Sequence, residues 1–226
     1  MGSNGQDTIS ASLPWSGEQR HSRVNCLATL LQTPFRPDGY MTAQIPDSLL
    51  LQDLKLSIVG VNGEGLFDPL AHDLLPVPRI TSCWRGYVCT YKTLANKFLL
   101  DSLQINLKGE GTALNGVGPV FSGENTFDNT YQHLNLSMDF SGGILAAGDF
   151  IRQLYVHMGF HPAWKYRTVF ELVISHGAVL ETRNVSEQME QVRNQMAKSP
   201  LEPGVKATPE QIKKWVAATF KLEYDF

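Results

Sequence analysis

Two β-rich runs, residues 87–92 (YVCTYK) and 97–107 (KFLLDSLQINL), stand on either side of Leu94-Ala95-Asn96. β-Branched and aromatic residues favour extended backbone, and so short a link joins neighbouring strands as a hairpin. No other pair of segments constrains the fold as tightly. A second pair follows the same logic: Thr168–Ser175 and Ala178–Arg183 are apolar runs separated by His176-Gly177, which predicts another hairpin.

The segments between and around these hairpins are read from periodicity. Leu54, Leu56 and Ile58 alternate as in a strand, and Asn62-Gly63 then supplies a turn dipeptide. Pro69, Pro76 and Pro78 make residues 65–80 irregular. Residues 108–129 are rich in Gly and Asn and read as a loop with a short strand at Val120-Phe121. From Gln132 to Phe140, Leu134, Leu136, Met138 and Phe140 share one face, and His133, Asn135, Ser137 and Asp139 share the other. That is a strand with one wet face. Phe150, Ile151, Leu154 and Tyr155 have helical spacing and predict a short helix ending near Gly159.

The two ends differ from the middle. Residues 1–40 read as a flexible leader or arm, 41–183 as a β-rich core domain and 184–226 as a two-helix C-terminal segment. In the last segment Asn184 and Glu187 resemble a capping box, and Val185, Met189, Val192 and Met196 form an apolar stripe. Thr208-Pro209 starts the second helix, with Ile212, Trp215, Val216 and Phe220 on one face. The expected fold class is therefore α+β: a mainly antiparallel sheet of about five to seven strands, one short helix and a helical C-terminal tail.

Composition narrows the function. The net charge is −3, with 19 basic residues scattered among 22 acidic ones, so no basic surface for nucleic acid is expected. No apolar run reaches the length of a transmembrane helix, and the polar N-terminal leader lacks the features of a signal peptide, so the expected location is the cytoplasm, away from membranes. Three cysteines, Cys26, Cys83 and Cys89, fit a reducing compartment. Cys89 falls within a β run and packs there, whereas Cys83 is looser and more exposed.

Chemical motifs are sparse. His157 and His161 have i, i+4 spacing, but Gly159 and Pro162 interrupt a helix through them and Met158 stands where H-E-x-x-H has Glu, so no metal is expected. Phosphate-binding loops and a nucleophile elbow are absent, and no cofactor is expected. What stands out are two aromatic clusters carrying Arg or His. One holds Trp84, Arg85 and Tyr87. The other holds Tyr155, His157, Phe160, His161 and Trp164. Such residues build binding surfaces, and they also anchor small β folds.

The same clusters carry a resemblance. WRGYVCTY at 84–91 and FSGGILAAGDFIRQLYVHMGF at 140–160 resemble the W-R-G-Y-x-A-T-[WY] and F-S-G-x-L…Y-V-H-M-G-[YF] segments of a group of uncharacterised bacterial proteins of unknown function. Phe67-Asp68-Pro69-Leu70 resembles that group's upstream N-P-L segment. The resemblance spans residues 66–182 apart from the loop at 108–130. It implies one β unit there and transfers no catalytic residue.

The expected function is a non-enzymatic binding or accessory protein whose partner is another protein or a second copy, as for a toxin-neutralising or defence-related factor. The alternative is a small hydrolase or transferase with a pocket of Arg85, His157, His161 and Tyr87. A third reading is a small-ligand module using Trp84 and Trp164.

Overall fold

The 87–107 region folds as expected. In the computed structural model, which describes residues 42–123, 126–196 and 208–210, β3 (Tyr87–Leu94) and β4 (Lys97–Ile105) pair antiparallel from Tyr87↔Ile105 to Leu94↔Lys97. Ala95 and Asn96 form the two-residue link, both at positive φ (48° and 59°). Their left-handed backbone gives the link the twist of the strands it joins. The second hairpin, β9 (Tyr166–Ser175) with β10 (Ala178–Asn184), turns on His176 and Gly177, again both at positive φ.

Five further strands complete the sheet: β1 (Ser48–Leu51), β2 (Leu54–Glu64), β6 (Asn129–Tyr131), β7 (Leu136–Ser137) and β8 (Ser141–Phe150), with β5 (Val120–Phe121) on its edge. The neighbours run β10–β9–β8–β2–β1–β3–β4, and β4 meets β10 again at Lys97↔Ala178. Phe98 N donates to Gly177 O and Val179 N to Asn96 O, both at 2.8 Å, so the tips of the two hairpins are tied to each other. The sheet thus closes into a seven-stranded barrel. It is a mixed barrel, because β1 runs parallel to β3 while the other neighbours are antiparallel. Register shifts at Ile58/Gly60, Thr90/Tyr91 and Val179/Glu181 supply bends that closure requires.

The interior is filled by side chains, as expected for so narrow a barrel. Leu49, Phe98, Leu100, Leu103, Ile144 and Leu172 are fully buried there. The Tyr91 and Phe98 rings stack at 4.9 Å, and the Tyr91 hydroxyl accepts from Phe67 N at 3.1 Å. A second apolar layer lies outside the wall. Val59, Leu145, Ala147 and Val169 point outward and are met by Val185 and, in α1 (Ser186–Met196), by Met189. Asn184 Oδ1 accepts from Ser186 N, Ser186 Oγ accepts from Val169 N, and Arg193 donates to Trp164 O and Tyr166 O.

Several expectations are corrected. The fold class is not an antiparallel α+β sheet with a helical tail: the parallel β1–β3 pair and the closure at Lys97↔Ala178 make a mixed barrel. Of the two expected C-terminal helices, the first is α1, and it lies against β9. The second expected helix falls outside the described residues except for Thr208, Pro209 and Glu210, of which the last two are helical. The reading of residues 1–40 as a leader or arm falls outside the described residues. Asn62-Gly63 is not a turn, because β2 runs through it and Gly63 (φ 146°) pairs with Gly142 (φ 141°). A Cβ on Gly142 would lie 2.0 Å from Asn62 O, so the two strands approach too closely for side chains.

The strand expected at 132–140 shrinks to Leu136–Ser137, since His133 and Asn135 adopt positive φ. Leu134, Met138 and Phe140 are nevertheless buried as the alternation implies. The short helix expected after residue 149 is a single 3-10 turn, Arg152–Leu154, because Phe150 still belongs to β8.

Candidate functional site

β8 and β9 stop pairing at Phe150↔Tyr166, and the fifteen residues 151–165 between them cross the outside of the barrel. Ile151 N donates to Lys165 O at 2.9 Å and clips the base of this connection. A 3-10 turn at Ala163–Lys165 leads back into β9. At the tip, Gly159 (φ 61°) accepts from Gln44 N at 2.7 Å.

Rings gather at the base. His161 lies 4.8 Å from Phe150 and 5.1 Å from Tyr155, and Tyr155 meets His157 edge-on at 4.7 Å. Tyr166 also packs edge-on with Phe150 at 5.1 Å. Trp164 is buried, and the Lys165 ammonium sits 5.4 Å from its ring centre. Phe160 is half-buried at the tip. Tyr155, His157 and His161 are therefore in one ring cluster, which Phe150 and Tyr166 complete.

The polar atoms of this region are unusual. Lys165 is 2% exposed, and its Nζ has no hydrogen-bond partner. Both His161 ring nitrogens and Trp164 Nε1 are also buried without partners. Burial disfavours the charged form of each base. It pushes the Lys165 ammonium down to about 8. Desolvation, followed by the Lys165 charge, lowers His161 to about 4. Burial raises the Tyr166 hydroxyl, partly offset by a hydrogen bond with Ser57. At neutral pH the imidazole is neutral and the amine is held close to losing its proton.

The other cluster is built differently. Arg85 grips both oxygens of Asp47, and Asp47 also accepts from Cys89 N at 2.6 Å. Burial works against the Arg85 charge, but the Asp47 carboxylate outweighs it and fixes the proton firmly. The guanidinium stacks over Tyr87 at 4.8 Å. Trp84, half-buried, donates its backbone N–H to Gln44 Oε1. Gln44 thus touches both clusters, yet Arg85 is engaged by Asp47 and Tyr87, and no bond joins it to His157 or His161 among the described residues. Cys83, expected to be loose, is 2% exposed with its thiol on Tyr87 O, and burial raises its pKa. Cys89 is buried as expected.

Two further groupings have site-like composition. Asp139 Oδ1 lies 3.0 Å from His176 Nδ1 beside Ser141, which are the residue types of a hydrolytic triad. Ser141 Oγ, however, accepts from the His176 backbone N–H, and the Asp–His pair is more than four-fifths exposed, so no protected nucleophile results. Asn106, Asp128 and Asn129 form a buried network, joined from the surface by Arg79, whose bonds tie residues 107–111 to 126–129. Its groups are satisfied and hold loops. No cluster of three His, Cys, Asp or Glu suited to a metal occurs among the described residues, and no helix there is long and apolar enough to cross a membrane.

Comparison with protein-family models, curated proteins and solved structures finds no match to this chain. Lys165 is the functional candidate that sequence reasoning missed. Its one signal is its place between Trp164 and Tyr166, two large rings flanking a cation.

Proposed function

We propose that this chain is a small-molecule binding protein whose site is the β8–β9 connection around Lys165, His161 and Trp164. One observation carries the proposal: the Lys165 Nζ is buried without a hydrogen-bond partner. Leaving a buried polar group unpaired costs about 1–3 kcal/mol, and more if it is charged. Such a cost is tolerated where a ligand supplies the missing partner. Trp164 Nε1 and the His161 ring nitrogens are orphaned within the same five residues, 161–165. Lys165 and Trp164 both donate, so the group they await is an acceptor oxygen. Phe150, Tyr155 and Tyr166 offer ring surface for a flat apolar body.

The occupant is thus a compact molecule with a ring-sized apolar part and one acceptor group. The protein-partner expectation leaned on the two aromatic clusters that include Trp84, Arg85 and Trp164. Trp164 is buried and Arg85 is engaged by Asp47, so these residues favour the small-molecule site.

Benzamide has this chemistry and forms no covalent bond with an amine. Its nine non-hydrogen atoms, at about 0.5 kcal/mol each, give about 4.5 kcal/mol and a Kd near 0.5 mM. Titration should shift the His161 ring signals in NMR and saturate in that range, and Lys165→Met should weaken the effect. Unmoved His161 signals at about twenty times that concentration would reject the site.

A further inference from the structure

We infer that Lys165 captures a carbonyl compound, an aldehyde or ketone with a flat apolar body, as a reversible imine. The inference rests on the small-molecule reading above and names the class of its ligand. Three features of the site favour a carbonyl over an anion. First, the Lys165 amine is 2% exposed with no acceptor on it, so its lone pair, once the proton leaves, is not engaged by another side chain. Second, no carboxylate pairs with Lys165 among the described residues, while the same environment that disfavours the ammonium disfavours any charge entering beside it. A carboxylate ligand would have to shed its own hydration to reach the amine, whereas a neutral carbonyl sheds little. Third, His161 is neutral and adds no second cation that would attract an anion.

Desolvated lysines in apolar surroundings are the form of this residue suited to attack on carbonyl carbon. The step balances without a co-reactant. The ammonium first gives its proton to solvent. The Nζ lone pair then forms a C–N bond to the carbonyl carbon while the C=O π pair moves to oxygen. A proton passes from nitrogen to that oxygen, giving the carbinolamine. Protonation of the hydroxyl lets it leave as water, the nitrogen lone pair forms C=N, and loss of the remaining N–H proton yields the neutral imine. The net change is amine plus carbonyl giving imine plus water, with nothing oxidised or reduced. The Trp164 ring, whose centre is 5.4 Å from Nζ, carries the orphan donor Nε1–H able to polarise the carbonyl oxygen. The rings of Phe150, Tyr155 and Tyr166 flank the ligand's body.

The test uses the full chain at pH 8 with a limiting amount of benzaldehyde and sodium cyanoborohydride, which reduces an imine to a stable secondary amine. An ordinary lysine is about 0.4% neutral at that pH. Lys165, lowered to about 8, is about half neutral. Peptide mass spectrometry should therefore find the benzyl group on Lys165 well ahead of the exposed Lys55, Lys97 and Lys108. Excess benzamide should slow that labelling, and prior unfolding in urea should spread it over all lysines. Benzyl groups on the exposed lysines with Lys165 unmodified would overturn the inference. If benzamide still shifts His161 in that case, the binding site stands and only the imine falls. If benzamide is also silent, both fall. The measurement is made on the unaltered chain, so it does not depend on a variant that folds.

Discussion

Replacing Lys165 with methionine should stabilise the protein at neutral pH. Methionine keeps the unbranched apolar stem and removes an ammonium that is 2% exposed and lacks a hydrogen-bond partner. In the unfolded chain the lysine titrates at its ordinary value of 10.5, and in the folded protein at about 8. Below pH 8 both states hold the proton and the folded state bears the full burial cost. Between pH 8 and 10.5 the folded state has released a proton that the unfolded state still binds, so stability rises with pH. Above 10.5 the cost is gone.

The gap between the two values corresponds to about 3 kcal/mol. The variant also loses the attraction between the ammonium and the Trp164 ring 5.4 Å away, worth about 1 kcal/mol. The net gain is about 2 kcal/mol, or about 4–8 °C in Tm for a chain of this size. Calorimetry at pH 7, 9 and 10.5 should show the variant melting higher at pH 7 and the difference closing by pH 10.5. A variant that melts at or below the parent at pH 7, or a difference that ignores pH, would mean that the ammonium is satisfied in the folded chain. The central premise of the site would then be wrong.

Two further substitutions test the frame that holds the site. Asp47→Ala strips the Arg85 guanidinium of its carboxylate and Cys89 N of its acceptor. The loss should be about 3 kcal/mol in urea unfolding, while Asp47→Asn, which keeps an acceptor, should lose less. Gly142→Ala places a Cβ 2.0 Å from Asn62 O at a φ of 141°, so β2 and β8 must separate. About 3 kcal/mol should be lost by thermal melting; a change below about 0.5 kcal/mol would show that the strands are not so closely paired.

The sequence by itself determined the two hairpins. The runs at 87–107 and 168–183 hold their own turn residues, Asn96 and Gly177, which accept the left-handed backbone, so local preference and final structure agree there. It also brought Tyr155, His157 and His161 to notice, because their types are rare and close together. Strand β8 was not legible. Its SGGILAAGDF stretch has low strand propensity and is extended because β2 and β9 pair with it on both sides. The parallel β1–β3 pair and the closure at Lys97↔Ala178 join segments distant in the chain, which periodicity does not report. The candidate site divides in the same way. A lysine in a sequence is by default a solvated cation. Only the packing of the β8–β9 connection against the barrel wall and α1 buries Lys165 and leaves its amine unpaired, and that burial is what turns an ordinary residue into a candidate for chemistry.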